Sequence, residues 1–270
     1  MWHKTISAIA LASVLGGCAG AVHQLPQLDS SSLSLAQDEV AAAAGLPRRH
    51  SVSNEDATRT LDESLARIKP AASQLCYEMA IGVCEWRFMK SDDPSLNAGA
   101  GANGIIVVNR GIVEYAANEE EVALVIAHEI GHQSANHIAT SQRNQTVGTI
   151  LGAVLGGTLG ALATQKSSNS PAVIRETANA GASIGGAIGR ISFSKEQERE
   201  ADYLSAVILY RSGLDLDKAR GFLVTMARAS GRKETGMLDT HPAGPERLAA
   251  WDKAVVEIRA AKGALPQRAH

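Results

Sequence analysis

Aromatic side chains are scarce in this chain of 270 residues, where three Phe, three Trp and four Tyr make up 4% of the total. With few large rings available, packing must rest on small residues brought close together, and Ala and Gly are accordingly abundant. Neither sign of charge is in excess. The formal net charge is −2 and there is no basic run, so nothing supplies a general attraction for nucleic acid. No self-similarity of 20–50 residues recurs, which excludes an attached solenoid module. What remains is ordinary for a globular protein: 45% hydrophobic residues and a length suited to one sizeable domain behind a processed N-terminus.

The first residues read as targeting rather than fold. Met1-Trp2-His3-Lys4 is a short basic start and Ile6 to Leu15 a short apolar run. That run falls well below the roughly 20 residues of a membrane span. Leu15-Gly16-Gly17-Cys18 then reads as a small-residue cleavage site ending in cysteine. Residues 1–17 thus resemble a bacterial lipoprotein signal, in which Cys18 becomes the acylated first residue of the mature protein. That reading implies attachment to a membrane through a lipid anchor in the bacterial periplasm. Ala19, where an acidic retention residue would otherwise stand, favours the outer membrane. With Cys18 set aside, Cys76 and Cys84 remain in an oxidising compartment. They either close one small loop or stay two buried thiols, and sequence does not decide between these.

Residues 18–52, rich in Ser, Ala and Gln, read as a tether with at most a short helix near 36–44. The main domain is expected over 53–262, with a charged tail at 263–270. Its first helix should cover about 54–69, with Leu61, Leu65 and Ile68 on one face, and stop at Pro70. Residues 81–90 and Ile105-Ile106-Val107-Val108 read as strands, with a short edge strand around Ser95-Leu96-Asn97-Ala98 between them. A helix then starts behind Asn118, with Glu121 at the capping-box position and three glutamates in its first turn, and runs to about His137. In 146–191, Gly148, Gly152, Gly156 and Gly160 recur every four residues, as do Gly181, Gly185 and Gly189. This spacing favours a packed, non-spanning helical hairpin over a mobile insertion, although Gly costs about 1 kcal/mol per helical position. Ser194 caps a further helix, with Gln197 at the box position and Gly213 at its end. Asp215 opens the next, and a last helix covers about 244–262. The fold class is therefore α+β: mostly helical, with a small, mostly antiparallel sheet.

His128-Glu129-Ile130-Gly131-His132 carries the chemistry. Residues four apart on a helix lie one turn apart on the same face, so both imidazoles can point at one ion. Glu129 sits about 100° round from His128, within reach of a water at the metal but badly placed to be a ligand itself. Two neutral nitrogens favour one Zn2+ over the hard cations. A catalytic site of this kind needs a third ligand, and Glu198-Arg199-Glu200-Ala201-Asp202 supplies it. Glu198 and Asp202 share a face, so Glu198 can bind the metal while Asp202 accepts the second N–H of a ligand histidine. Glu200 lies about 200° from Glu198 and, like Glu196, reads as an exposed acidic residue. His137 lies about 140° from His132 on a continuous helix, off the metal face, and reads as structural.

These motifs together resemble the HtpX/Oma-like zinc metallopeptidases, the small gluzincins. His128 to His132 and Phe193-Ser194-Lys195-Glu196-Gln197-Glu198-Arg199-Glu200-Ala201-Asp202 carry the resemblance. Asn97-Ala98 with Gly104 and Gly111 upstream, and Thr240-His241-Pro242 with Arg247 downstream, extend it over about 55–250. Lys195 departs from the family's usual Arg, away from the metal. With its leader and no repeat module, the chain is similar in layout to the periplasmic BepA/LoiP-type lipoprotein proteases. The resemblance implies an endopeptidase acting on unfolded or misfolded envelope proteins, with outer-membrane assembly machinery as a further partner. It places His241 near the zinc, either as a resting fourth ligand or as an oxyanion donor, a role open to Arg247 as well. Asn97 and Ala98 would bind substrate as an added strand. The competing class is a non-catalytic chaperone or assembly factor on a protease fold, against which the intact Glu129 argues.

Overall fold

The computed structural model describes residues 20–43, 48–144, 192–229, 241 and 244–269. The leader with Cys18, the Gly-rich stretch 146–191, and Thr240 and Pro242 fall outside these residues.

The architecture is built around one helix, α4 (Glu119–Ser134), which is buried on every side from Glu121 to Ser134. A helix without a solvent face must be central. The Asn118 side chain accepts from the Glu121 N–H at 2.9 Å and starts it. Glu121 reaches back one residue beyond the cap, to the Ala117 N–H at 2.8 Å. Before it in the chain come α1 (Ser30–Ala42), α2 (Asn54–Met79), β1 (Arg87–Ser91), β2 (Ala98–Ala100), β3 (Ile105–Asn109) and α3 (Arg110–Tyr115). After it come α5 (Lys195–Arg211), α6 (Leu216–Ala219), α7 (Gly221–Ala229) and α8 (Pro245–Ala260). Helix α5 lies along α4, α2 flanks it, α8 packs on α5, and α1 covers α8.

Small residues set the tightest of these contacts, as the composition predicts. A Cβ added at Gly131 would come 3.0 Å from the Ala201 carbonyl oxygen, so α4 and α5 touch backbone to backbone there. Helix α5 has the expected capping box between Ser194 and Gln197.

Three expectations are corrected. Helix α2 does not stop at Pro70 but runs on to Met79. The missing N–H and ring clash of an interior proline cost about 3 kcal/mol. Ala71, Ala72, Leu75, Cys76 and Met79 beyond it are all buried, and each large apolar side chain contributes roughly 1.5–3 kcal/mol. The sheet, ordered β1-β3-β2, is mixed: β2 pairs antiparallel with β3, but β1 pairs parallel with it. Parallel neighbours need a crossover connection, which the segment containing β2 provides. Residues 20–43 are more than a tether. They hold a three-turn helix, α1, and bury His23 and Ala36. The C-terminal segment meets the N-terminal one: Ala269 donates its N–H to the Val22 carbonyl at 2.9 Å and the Gln267 carbonyl accepts from the Gln24 N–H at 2.8 Å.

Cys76 and Cys84 form a disulfide, settling the alternative that the sequence left open. The bond ties the end of α2 to the approach to β1. No helix among the described residues is long and apolar enough to cross a membrane.

Candidate metal centre

Helix α4 delivers His128, Glu129 and His132; α5, pressed against it at Gly131, delivers Glu198 and Asp202; α8 adds Arg247. His241 comes from the loop ahead of α8. All seven are buried, six of them below 2% exposure and Arg247 at 5%.

One atom each of His128, His132, Glu198 and His241 lies within 4.8 Å of all the others. His128 Nε2 is 3.1 Å from His132 Nε2 and 3.3 Å from His241 Nδ1. The Glu198 oxygens are 3.5 Å from His128 Nε2, 3.4 Å from His132 Nε2 and 2.9 Å from His241 Nδ1. Tetrahedral ligands about 2.0–2.1 Å from an ion stand about 3.3 Å from one another, so the set fits one small tetrahedral ion. The carboxylates of Glu198 and Asp202 both lie against the guanidinium of Arg247. Both Glu129 oxygens and His241 Nε2 are buried without a hydrogen-bond partner among the described residues. Such groups are costly unless something else satisfies them, which an ion and its water would do.

The surrounding contacts hold these groups in place. His128 Nδ1 lies 2.9 Å from Asp202 Oδ1, so Asp202 accepts its N–H and the lone pair on Nε2 faces the ion site. Burial pushes the His128 ring down, but Asp202 and Glu198 outweigh it and raise the pKa to about 9. His132 is pushed well below the usual range by burial. Arg247 grips Asp202 at 2.8 and 2.6 Å and reaches Glu198 at 3.0 Å. Its guanidinium is thus engaged with two carboxylates and positions them, rather than standing ready for an oxyanion. Burial raises the Glu198 and Asp202 carboxyls. The opposing pull, from His241 and then Arg247 on Glu198 and from Arg247 on Asp202, holds both below their ordinary values. His241 Nε2 points towards Glu129 Oε1, 3.6 Å away. Phe193 stacks on the His132 ring with centroids 3.8 Å apart.

Asn97 and Ala98 lie beside this centre rather than in it. Strand β2 stands at the sheet's edge and packs on α4. The Gln133 side chain of α4 donates to the Gly101 and Ile105 carbonyls at 2.7 and 3.1 Å, pinning the turn that follows β2. A cavity of about 390 Å³ reaches Glu198 and Arg247 of this centre, between Leu33 and Gln37 of α1, Lys195 of α5 and Glu246 of α8.

One reading of a single residue fails: Glu200 is fully buried, not exposed. His137 stays outside the four-residue set, as expected, but its ring faces His132, with the two Nδ1 atoms 3.0 Å apart. The angular argument for His137 assumed a continuous helix, but α4 ends at Ser134 and Asn136 turns at φ +57°. Helix resumes over 137–144 with His137 swung back. His23, which no motif marked, lies in the same cluster. The asparagine at a helix end was the one local signal of the break.

The chain is similar to known proteins. Peptidase family M48 matches residues 64–255. The beta-barrel assembly-enhancing protease of Escherichia coli K12 is 32% identical over 167 residues, covering 61% of this chain and 33% of that protein. The metalloprotease LoiP of the same organism is 26% identical over 255 residues, 89% of this chain and 91% of LoiP. The mitochondrial metalloendopeptidase OMA1 of Arabidopsis thaliana is 28% identical over 162 residues, 60% of this chain and 30% of OMA1. The chain thus spans about a third of the assembly-enhancing protease and nearly all of LoiP.

Proposed function

Because the chain belongs to Peptidase family M48, we propose that it is a zinc-dependent endopeptidase acting on unfolded or misfolded proteins of the bacterial envelope. The observation that carries this is a buried, unpartnered Glu129 carboxylate beside a tetrahedral His, His, Glu set. His128, His132 and Glu198 would hold the ion. Zinc, when bound, acidifies water and polarises a carbonyl. Glu129 takes the proton of the attacking water and delivers it to the amine as the peptide C–N bond breaks. Asp202 and Arg247 keep His128 and Glu198 oriented throughout. An extended chain laid along the outer edge of β2, at Asn97 and Ala98, would be held by its main chain, so recognition depends on being unfolded rather than on particular side chains.

His241 supports a restrained resting state. Its Nδ1 lies where a fourth ligand would. Displacement by substrate would free that position. Anchoring at the periplasmic face of the outer membrane through Cys18, near the machinery that assembles proteins there, completes the proposal.

Casein digestion with and without a chelator, alongside metal analysis, tests the activity. Digestion that survives complete metal removal would overturn it. Cys18→Ala tests the location: it should release the protein from membranes and abolish a metabolic palmitate label, and an unlabelled wild type would point to a secreted enzyme.

A further inference from the structure

The carboxylate of Glu200 is fully buried yet fully partnered, with the partners converging from two distant parts of the chain. Its Oε1 meets the His23 N–H at 2.9 Å and His23 Nδ1 at 2.6 Å. Its Oε2 meets the Val22 N–H at 2.7 Å and His137 Nε2 at 2.9 Å. An ionised carboxylate only accepts, so His137 must donate through Nε2–H. A neutral His137 then presents a lone pair at Nδ1, and the His132 Nδ1 facing it at 3.0 Å must carry the proton. That leaves His132 Nε2 as a bare lone pair directed at the ion site. On the other side of the site, Asp202 does the same for His128, but directly.

We propose that Glu200, His137 and the segment Val22–His23 form a positioning relay for the metal ligand His132, making the N-terminal arm a working part of the metal centre. A carboxylate held by His137 alone would keep rotational freedom and unfilled acceptor sites. The arm supplies three of its four donors and fixes its plane, and that plane fixes His137. The arm is itself tied down by the His23–Arg268 bridge and by Arg199, which donates to the Pro26 carbonyl at 2.6 Å. The inference rests on the metal-centre reading proposed above.

The test is zinc affinity of the full chain, measured by competition with a chromophoric chelator, together with the visible spectrum of the Co2+-substituted protein. Far-UV circular dichroism checks that each variant is folded. His137→Phe keeps a ring but removes both nitrogens, and should weaken Zn2+ binding roughly 10–100-fold and alter the Co2+ spectrum. His137→Asn, which can place an amide oxygen where Nδ1 stood, should recover most of that loss. His23→Ala should weaken binding in the wild-type background and have no further effect beside His137→Phe. A folded His137→Phe with wild-type affinity and spectrum would overturn the relay. So would equal losses in the Phe and Asn variants, or a His23→Ala effect of the same size in both backgrounds. A wild-type chain that takes up neither Zn2+ nor Co2+ would instead overturn the metal reading itself.

Discussion

Glu198 and Glu200 stand two residues apart on α5, on opposite faces of one helix, and both are buried. The front face meets α4, where both Glu129 oxygens are left without a hydrogen-bond partner among the described residues. The back face meets the N-terminal arm and satisfies both Glu200 oxygens twice over. Burial pushes the Glu200 carboxyl up, but the hydrogen bonds from His137, His23 and Val22 outweigh it and hold the pKa at about 2. The contrast separates two uses of a buried carboxylate. One is kept short of partners so that an ion and a water can complete it; the other is saturated and holds neighbours still.

The largest effects should come from the front face. Glu129→Gln should lower casein hydrolysis by roughly 100-fold to 10⁴-fold while the chain keeps its zinc, as read by metal analysis. Glu198→Ala should lose both metal and activity. If the Gln variant still cleaves casein, the general-base role goes. His241 offers a smaller effect with an opposite sign. Acting as a brake, its replacement by Ala should speed hydrolysis of unfolded substrate and increase self-cleavage. An oxyanion donor would instead make the variant slower by roughly 100-fold.

On the back face the effect should appear in stability. Glu200→Ala strands buried donors from His23, His137 and two main-chain N–H groups, and should cost about 3–5 kcal/mol in denaturant melts. Glu196→Ala, at an exposed position on the same helix, should stay within about 0.5 kcal/mol. Equal costs would erase the distinction between the two acidic positions.

Glu121 supplies the smallest effect and a third kind of buried carboxylate. Among the described residues it has a single backbone donor and no cation, and burial pushes its pKa from 4.5 up to about 6. The folded state therefore keeps this proton to higher pH than the unfolded chain does, so its contribution to stability falls as pH rises from about 4.5 to about 6. Relative to Glu121→Gln, the wild type should lose about 1 kcal/mol across that interval, after allowance for solvent screening. A difference that stays flat with pH would show Glu121 to be paired after all.

Much of the site was legible beforehand because it depends on spacing within single helices. His128 and His132 share a face at four residues' separation, Glu198 and Asp202 do likewise, and Asn118 and Ser194 announce their helices. Each of these is decided by backbone geometry over one or two turns. The disulfide, the passage of α2 through Pro70 and the parallel pairing of β1 with β3 were not legible. Each turns on what lies against the segment rather than on what the segment is.

By itself, then, the sequence determined where α4 and α5 begin, their caps and which of their side chains share a face, since a helix's period is a local property. Only the tertiary structure decided what stands behind those side chains. Glu200 is buried because Val22 and His23, some 177 residues away in sequence, pack onto it. His137 faces His132 because the helix breaks between them, and His241 reaches Glu198 across 43 residues. Contacts of this range leave no periodic trace, because the chain between their ends is free to take any length and composition that closes the loop.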